Sequence, residues 1–308
     1  MKKSKKRGTA AALIANIIFG FSFLFTTLAL ETGASPLILV AARFTVAFLV
    51  LAVLCLLGVV KINLRGKRLF PIILMGLCQP FLYFIFETYG LKFVSSSISG
   101  VIISTVPIAV ILIHCLFFGG RVTVRQGAFS ALSVVGVIAV SILSNKGEMR
   151  FSYGGAALLL LAVLSAAMFN ILSNRESENF TSVERTFVMF AVAAVGFNLL
   201  APAVLQKNYI SELTFAFSQP MFSVSVVYLA VVSSVAAFLL YNFAASNITV
   251  VEAASFSSVI SICSVVAGIT ILKEKADIWQ ILCCAVIILG VWGVNTAPSQ
   301  GEKSREHK

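Results

Sequence analysis

Long apolar runs separated by short polar segments make up nearly the whole chain. The runs cover residues 9–30, 35–60, 69–91, 94–118, 124–144, 153–173, 184–205, 220–244, 250–272 and 277–297. A helix needs about 20 apolar residues to cross the hydrocarbon core of a bilayer, and these runs are long enough. Transmembrane β-strands are shorter and alternate in polarity, a pattern that is absent here. Charged residues amount to 11% and mean hydropathy is +1.01, too apolar for the surface of a soluble protein. The sequence therefore predicts an all-α integral membrane protein with ten transmembrane helices.

The basic residues predict how these helices are oriented. An even number of spans leaves both termini on the same side of the membrane. If that side is the cytoplasm, the inner segments carry 16 Lys and Arg residues and the outer loops carry 6. Cytoplasmic segments are enriched in Lys and Arg, so both termini are expected in the cytoplasm of a multi-pass protein of the cell (inner) membrane. The net charge of +11 then reflects topology, and no nucleic-acid partner is expected.

The chain also contains a weak internal repeat. An offset of 154 residues aligns Ser104 with Ser258, Ile108 with Ile262, Gln126 with Gln280, and Gly136-Val137 with Gly290-Val291. The hydropathy profile repeats as well, although chance matches among apolar residues remain an alternative. Because five spans is an odd number, a second copy would enter the membrane upside down. We expect two inverted five-helix repeats, residues 1–146 and 147–298, followed by a cytoplasmic tail at 299–308. Many secondary transporters are built in this way and bind substrate near the bilayer midplane.

Several motifs resemble the ten-span EamA branch of the drug/metabolite transporter superfamily. They are Gly20, Pro36, Arg43-Phe44, YGLKFVSSSISGVIISTVP at 89–107, GVIAV at 136–140, YNFAASNITVVEAASFSSVIS at 241–261, KEKADIWQ at 273–280 and GVWGV at 290–294. The chain departs from the family pattern at Gly119-Gly120 and Lys273-Glu274, where Gly-Glu is usual, at Ser261 in place of a proline, and at Glu87.

The resemblance implies a ten-helix carrier with a central cavity. Its partners would be the lipid bilayer and a small-molecule substrate, often an amino acid, a related compound or a drug, usually moved outward. The functional unit would be a monomer, without a cofactor. The departures leave the particular substrate undetermined.

Polar residues within the predicted spans are the candidates for the cavity. Gln79, Tyr83 and Glu87 are spaced by four and share one helix face, which in lipid should point inward. Arg43 lies at a depth similar to that of Glu87, and the two could pair. For Arg43, a structural tie between helices and an anchor for a substrate carboxylate both remain open. Glu87 is the candidate for proton coupling, because burial favours the neutral form of a carboxyl group. Alternatively, it reaches from a helix end to the outer interface.

Three further positions complete the set of cavity candidates. The 154-residue offset relates Glu87 to Tyr241, so Tyr241 belongs to the equivalent face of the eighth span. Asn16 and Asn170 are intramembrane amides that either contact substrate or hydrogen-bond between helices.

The stretch SSSISGVIISTVP at 95–107 predicts a close helix crossing. Ser96, Gly100 and Ser104 are four residues apart and form a face of small residues, which lets two helices approach closely. The offset pairs Gly100 with Ala254 and Ser104 with Ser258. We therefore expect the fourth and ninth spans to cross at Ser96, Gly100 and Ala254, with Ser104 and Ser258 bordering the cavity.

Motifs of enzymes and ATP-driven pumps are absent. The sequence has no HExxH, no GxSxG and no phosphate-binding loop. No enzyme activity, cofactor or metal site is expected. A secondary carrier working by alternating access is the preferred interpretation. The alternative is a channel-like or sensory multi-pass protein without coupled transport.

Overall fold

All regular secondary structure in the described part of the chain is helical. The computed structural model describes residues 2–118, 123–144, 150–248, 256–275 and 277–296, so Ala254 and the predicted tail at 299–308 lie outside it. The α-helices are α1 Lys2–Glu31, α2 Pro36–Leu56, α3 Phe70–Gly76, α4 Tyr83–Phe93, α5 Ser96–Ile103, α6 Val106–Phe118, α7 Val124–Ser144, α8 Tyr153–Arg175, α9 Ser182–Leu205, α10 Tyr209–Ser218, α11 Pro220–Val227, α12 Ala237–Ala245, α13 Ser257–Thr270 and α14 Ile278–Thr296.

Seven helical segments of the described residues are long and apolar enough to cross a membrane. They are Lys5–Glu31, Pro36–Leu56, Phe70–Phe93, Ser96–Ile113, Tyr153–Arg175, Ser182–Ser218 and Pro220–Ala245. Three shorter apolar helices, Gly127–Gly136, Ser257–Thr270 and Ile281–Gly293, fall at the fifth, ninth and tenth predicted spans. The all-helical membrane architecture is confirmed, whereas the count of ten spanning helices is not.

Two of the predicted spans are interrupted at a proline. In the third span a π-helical segment, Leu77–Leu82, joins α3 to α4, and Gln79 leaves helical geometry directly before Pro80 (φ −147°, ψ 122°). In the fourth span α5 ends at Ile103, and α6 resumes at Val106 with Pro107 in its first turn. Proline lacks an N–H donor, so beyond the first turn of a helix it removes a backbone hydrogen bond and tends to kink or break the helix. Irregular backbone at membrane depth must be buried in protein or line a cavity.

The seventh span begins and ends at clear local signals. Thr181 caps α9 by accepting the N–H of Glu184, and the Glu184 side chain accepts the N–H of Thr181, which is a complete capping box. The helix ends at Leu205, because Gln206 adopts a positive φ of 47°. A short 3-10 turn then leads into α10, so the 37-residue apolar segment contains two helices rather than one long span.

Helices α7 and α14 pack through a reciprocal pair of glycines. A Cβ added to Gly136 would lie 2.6 Å from Cγ1 of Ile287, and one added to Gly290 would lie 2.8 Å from the carbonyl oxygen of Phe129. The Ser133 hydroxyl donates to the carbonyl of Ile287 (3.1 Å). Gly136 and Gly290 differ by 154 residues, and so do Ser133 and Ile287. The contacts run in opposite order along the two helices, which are therefore antiparallel.

Helices α5 and α13 cross in the same antiparallel manner. A side chain at Gly100 would overlap that of Ser264, and the Ser257 hydroxyl donates to the carbonyl of Ser104 (2.9 Å). The fourth and ninth predicted spans thus approach closely at Gly100, where the neighbour is Ser264. Ala254, the neighbour expected from the sequence, lies outside the described residues.

Candidate functional site

A cavity with about 640 Å³ of empty space lies between the predicted first, third, fourth, sixth, eighth and ninth spans. Gln79, Ile103 and Val106 line it, so both interrupted helices border the cavity at their irregular segments. The local breaks in the third and fourth spans therefore help to shape its wall.

Aromatic rings form most of the large side chains of this wall. The ring centroid of Phe238 lies 5.3 Å from that of Phe19, 6.2 Å from that of Phe169 and 6.3 Å from that of Phe84. Such edge-to-face and tilted contacts are the arrangements that aromatic pairs prefer. The rings that line the cavity are Phe19, Phe23, Tyr83, Phe84, Phe169, Phe238 and Tyr241.

The polar lining consists of amides and hydroxyls, and none of the described residues that line the cavity is charged. The Tyr241 hydroxyl donates to Oδ1 of Asn170 (2.5 Å), whose Nδ2 donates to the carbonyl of Ala166 (2.9 Å). Asn16 makes the equivalent bond from Nδ2 to the carbonyl of Ala12 (2.7 Å). The Ser257 hydroxyl donates a hydrogen bond to the carbonyl of Ser104, directly after α5. The Gln79 amide has no hydrogen-bond partner among the described residues.

The two halves of the chain contribute equivalent positions to this lining. Four pairs of lining residues differ by 154 in number: Asn16 and Asn170, Phe84 and Phe238, Ile103 and Ser257, and Val106 and Ile260. The carbonyls of Ala12 and Ala166, which accept the two asparagine amides, have the same separation. The repeat read from the sequence therefore corresponds to a spatial relation around one cavity.

Arg43 lies beside the cavity and is not among the residues that line it. It is 2% exposed; Nε donates to Ser234 Oγ (2.9 Å) and Nη2 donates to Ser233 Oγ (3.0 Å). Its guanidinium carbon lies 4.2 Å from the ring centroid of Phe84, which does line the cavity. These hydrogen bonds join the second predicted span to the eighth, which is the arrangement expected if Arg43 ties helices together.

Glu87 is also buried behind the wall, with 1% of its surface exposed. Its Oε2 accepts a hydrogen bond from Thr88 (3.2 Å), while its Oε1 has no partner among the described residues. Glu87 and Arg43 attract each other electrostatically, but the pair does not form an ion pair in direct contact. Ser104 and Ser258 are buried outside the lining too, whereas Asn16, Gln79, Tyr83 and Tyr241 lie in it.

Sequence reasoning assigned Arg185 to a cytoplasmic loop, but the structure buries it completely. Its guanidinium donates to the carbonyl of Ser173 (2.5 Å), the carbonyl of Asn242 (2.7 Å) and the hydroxyl of Ser246 (2.5 Å). One side chain thus joins the ends of α8, α9 and α12. The spacing of Asn242 and Ser246 by four residues was the signal that could have revealed a polar helix face.

Glu274 carries a second contact that the sequence reasoning missed. Its carboxylate accepts the backbone N–H of Ser96 (2.7 Å), the N–H of Ser97 (3.2 Å) and the hydroxyl of Ser97. The segment after α13 thereby caps the N-terminus of α5, where Ser95 makes no capping bond with its own side chain. This cap fixes Ser96, a predicted crossing residue, against the second half of the chain.

Comparison with known proteins identifies the family. The model of the EamA-like transporter family matches residues 6–142 and matches again at residues 153–296. The chain belongs to the EamA-like transporter family. Its match to the uncharacterized transporter YcxC of Bacillus subtilis (strain 168) is 33% identical over 286 residues, which is 92% of this chain and 91% of the relative.

More distant relatives agree with this EamA membership. An uncharacterized transporter of Archaeoglobus fulgidus is 20% identical over 263 residues, covering 84% of this chain and 88% of the relative. A crystal structure with 16% sequence identity superposes with a TM-score of 0.66, covers 98% of both chains and supports the fold alone. This EamA protein is a multi-pass membrane transporter and not an enzyme.

Proposed function

We propose that this EamA protein is a secondary-active exporter of small metabolites across the cell membrane, working by alternating access. Residues 1–146 and 147–298 form two inverted repeats, the termini are cytoplasmic, and a monomer is the functional unit. The observation that carries the proposal is the cavity lined by four pairs of residues 154 apart. A site at the interface of two repeats can be exposed to either side when one repeat rocks against the other.

The helix directions support inversion of the second repeat. Equivalent helices of two inverted five-helix repeats run in opposite directions across the membrane. The α5 and α13 helices are antiparallel at Gly100 and Ser264, and the α7 and α14 helices are antiparallel at Gly136 and Ile287. The family model also matches the chain twice, once in each proposed repeat.

Counterflow in proteoliposomes tests the transport mechanism. Metabolites that accumulate outside cells only when the gene is present would identify the labelled solute. A carrier shows saturable counterflow of that solute, whereas a channel conducts without saturation at comparable concentrations. Ala166→Phe fills the cavity and should reduce counterflow at least about tenfold, while Ala131→Phe on the exposed surface serves as the matched control. Flux without saturation, or equal flux in both variants, would refute alternating access through this cavity.

Proton coupling is the finer part of the proposal and rests on Glu87. A carboxyl group that is 1% exposed and has one unpartnered oxygen is suited to bind and release a proton as its surroundings change. In Glu87→Gln the uptake driven by a pH gradient should disappear while counterflow persists. Glu178→Gln, at an exposed carboxylate, is the control. Gradient-driven uptake that survives in Glu87→Gln would remove protons from the mechanism.

A further inference from the structure

We infer that the cavity selects solutes that carry a flat ring and no net charge. This inference rests on the proposed transport function, because it names the substrate class of the same cavity. It follows from three features of the lining: the absence of charged side chains, the concentration of aromatic rings, and the presence of amide and hydroxyl groups that are not fully used by the protein.

The charges nearest the cavity are engaged elsewhere. Arg43 directs its hydrogen bonds to Ser233 and Ser234 and lies over the ring of Phe84. Glu87 is almost completely buried outside the lining, and its Oε2 accepts a hydrogen bond from Thr88. An ion that enters an apolar site loses its hydration and needs an opposite charge or several hydrogen bonds in compensation. The lining provides no opposite charge, so a neutral solute is favoured over an anion or a cation of the same shape.

The aromatic wall accounts for the ring. Phe238 meets Phe19 with an interplanar angle of 72°, and Phe169 lies nearly parallel to Tyr241 at 30°. Ring edges and ring faces are therefore both present around the same space. A planar ring gains from edge-to-face and offset-stacked contacts beyond the gain from burying its surface, and a saturated ring lacks this additional contribution.

Unused polar groups account for a neutral polar substituent. The Gln79 side chain has no hydrogen-bond partner among the described residues and lies where the helix is unwound. Asn16 uses only one of the two N–H groups of its side-chain amide, in the hydrogen bond to the carbonyl of Ala12. The Tyr83 hydroxyl, on the same span as Gln79, also makes no hydrogen bond within the described ranges. Amides and hydroxyls of this kind match an amide, a carbonyl or a hydroxyl of the solute without requiring charge.

A series of three indoles with similar side chains tests the inference in the wild-type protein. The probes are N-acetyltryptamine, which is neutral, tryptamine, a cation, and indole-3-propionate, an anion. Binding is measured by equilibrium dialysis against protein in nanodiscs, with empty nanodiscs subtracted. The neutral probe should bind at least about tenfold more tightly than either ion, because an ion loses its hydration in the cavity and the described lining offers no opposite charge in compensation. Equal or tighter binding of either ion would overturn the inference about charge.

The ring requirement has its own comparison. The probes are N-acetyl-2-phenylethylamine and its saturated analogue N-acetyl-2-cyclohexylethylamine, which are both neutral and carry the same amide. The saturated compound should bind more weakly than the phenyl compound by about fivefold or more, the size of a typical aromatic pair contribution. Binding of the cyclohexyl compound as tight as that of the phenyl compound would show that the wall selects apolar bulk and would overturn the inference about the ring.

A negative charge placed in the cavity should shift the binding preference from the anionic toward the cationic indole. Gln79→Glu adds a carboxylate of nearly the same size, and tryptamine should then gain at least about tenfold over indole-3-propionate relative to wild type. Gln206→Glu makes the same change at an exposed position and should leave the ratio unchanged. Asn16→Asp provides a second placement if Gln79→Glu does not fold. An unchanged ratio in a folded cavity variant contradicts the inference.

Because these measurements report binding, they separate the two proposals. If the neutral indole binds best but no solute shows counterflow, the transport proposal fails and the selectivity of the cavity remains. If counterflow is saturable but an ion binds best, the transport proposal remains and the substrate class is wrong.

Discussion

Replacing Glu274 by alanine removes one carboxylate that holds the two halves of the chain together at the start of α5. Three donors lose their acceptor: the N–H groups of Ser96 and Ser97 and the hydroxyl of Ser97. The N-cap residue Ser95 does not replace it, because its side chain makes no capping bond. The Ser95 and Ser96 hydroxyls are buried without partners among the described residues, so they are the neutral acceptors left nearby when the carboxylate is removed.

The magnitude follows from the number and the exposure of these bonds. A hydrogen bond to a charged group contributes about 1.5–3 kcal/mol, and loss of a helix N-cap typically costs about 1 kcal/mol. Glu274 is half-buried, so water can satisfy part of what the carboxylate leaves behind. We therefore expect Glu274→Ala to lower stability by about 2–4 kcal/mol, below the sum of the individual bonds. Glu274→Gln keeps one oxygen acceptor and loses the charge, so its expected cost is about 1 kcal/mol.

Thermal unfolding of the purified protein in nanodiscs measures this effect. The apparent melting temperature of Glu274→Ala should fall by at least about 5 °C, with Glu274→Gln between it and wild type. Glu178→Ala, an exposed carboxylate, is the control and should remain within about 1 °C of wild type. If alanine and glutamine variants both melt like the control, the carboxylate does not cap α5 and the contact assigned to it is wrong.

Three further sets of substitutions test other contacts between helices. Arg43→Gln should cost about 2–4 kcal/mol, because two buried serine hydroxyls of the predicted eighth span lose their charged donor; thermal unfolding measures the loss, and an unchanged melting temperature would contradict the structural tie. Gly100→Ala should cost about 1–3 kcal/mol by overlap with Ser264, and adding Ser264→Gly should restore most of it; lack of rescue would refute that contact. Gly290→Ala should destabilise more than Gly136→Ala, because a Cβ at Gly290 would meet the backbone of Phe129 and Ser133 at 2.8 Å, whereas one at Gly136 would meet the Ile287 side chain at 2.6 Å; equal losses in the same assay would contradict these surroundings.

The helical membrane architecture could be predicted because the bilayer imposes it on composition and run length. Lipid offers no partner to backbone polar groups, so each apolar run of sufficient length must be helical. The break in the third span was visible as well, because Pro80 cannot continue the hydrogen-bond pattern of the helix. The end of α9 was predicted as well, because the seventh apolar run ends at residue 205 and α9 ends at Leu205. The helix α10 that follows was not predicted from the sequence.

The candidate site could be predicted only in part. The spacing of residues along a helix shows which face they share, but not whether each side chain reaches the surface of the cavity. Asn16 and Asn170 were predicted as intramembrane amides, and the structure brings both to one cavity. Glu87 shares a helix face with Gln79 and Tyr83, yet it lies beyond the lining. Tyr83 and Glu87 belong to the same helix α4, so Glu87 keeps the face of Tyr83 but lies one turn farther along the helix, past the end of the cavity.

Arg185 shows why charge counting misses buried cations. The positive-inside rule counts charges near the ends of spans and contains no information on whether a side chain turns toward solvent or toward protein. Here carbonyl and hydroxyl acceptors on α8 and α12 surround the guanidinium. These acceptors are 12 and 57 to 61 residues away in sequence, so the spacing of Asn242 and Ser246 indicates a polar helix face but not that Arg185 contacts it.

The paired lining of the cavity has a consequence for how a solute is oriented. Because Phe84 and Phe238 occupy equivalent positions, an asymmetric solute has two binding orientations of nearly equal energy, related by a half-turn. Positions where the repeats differ must lift that degeneracy: Gln79 has Ser233 as its counterpart, and Tyr83 has Ala237. Tyr241 adds a third difference, because its counterpart Glu87 lies outside the lining. The head and the tail of the solute are then told apart by the Gln79 amide and the Tyr83 phenol of the first half and by the Tyr241 phenol of the second half.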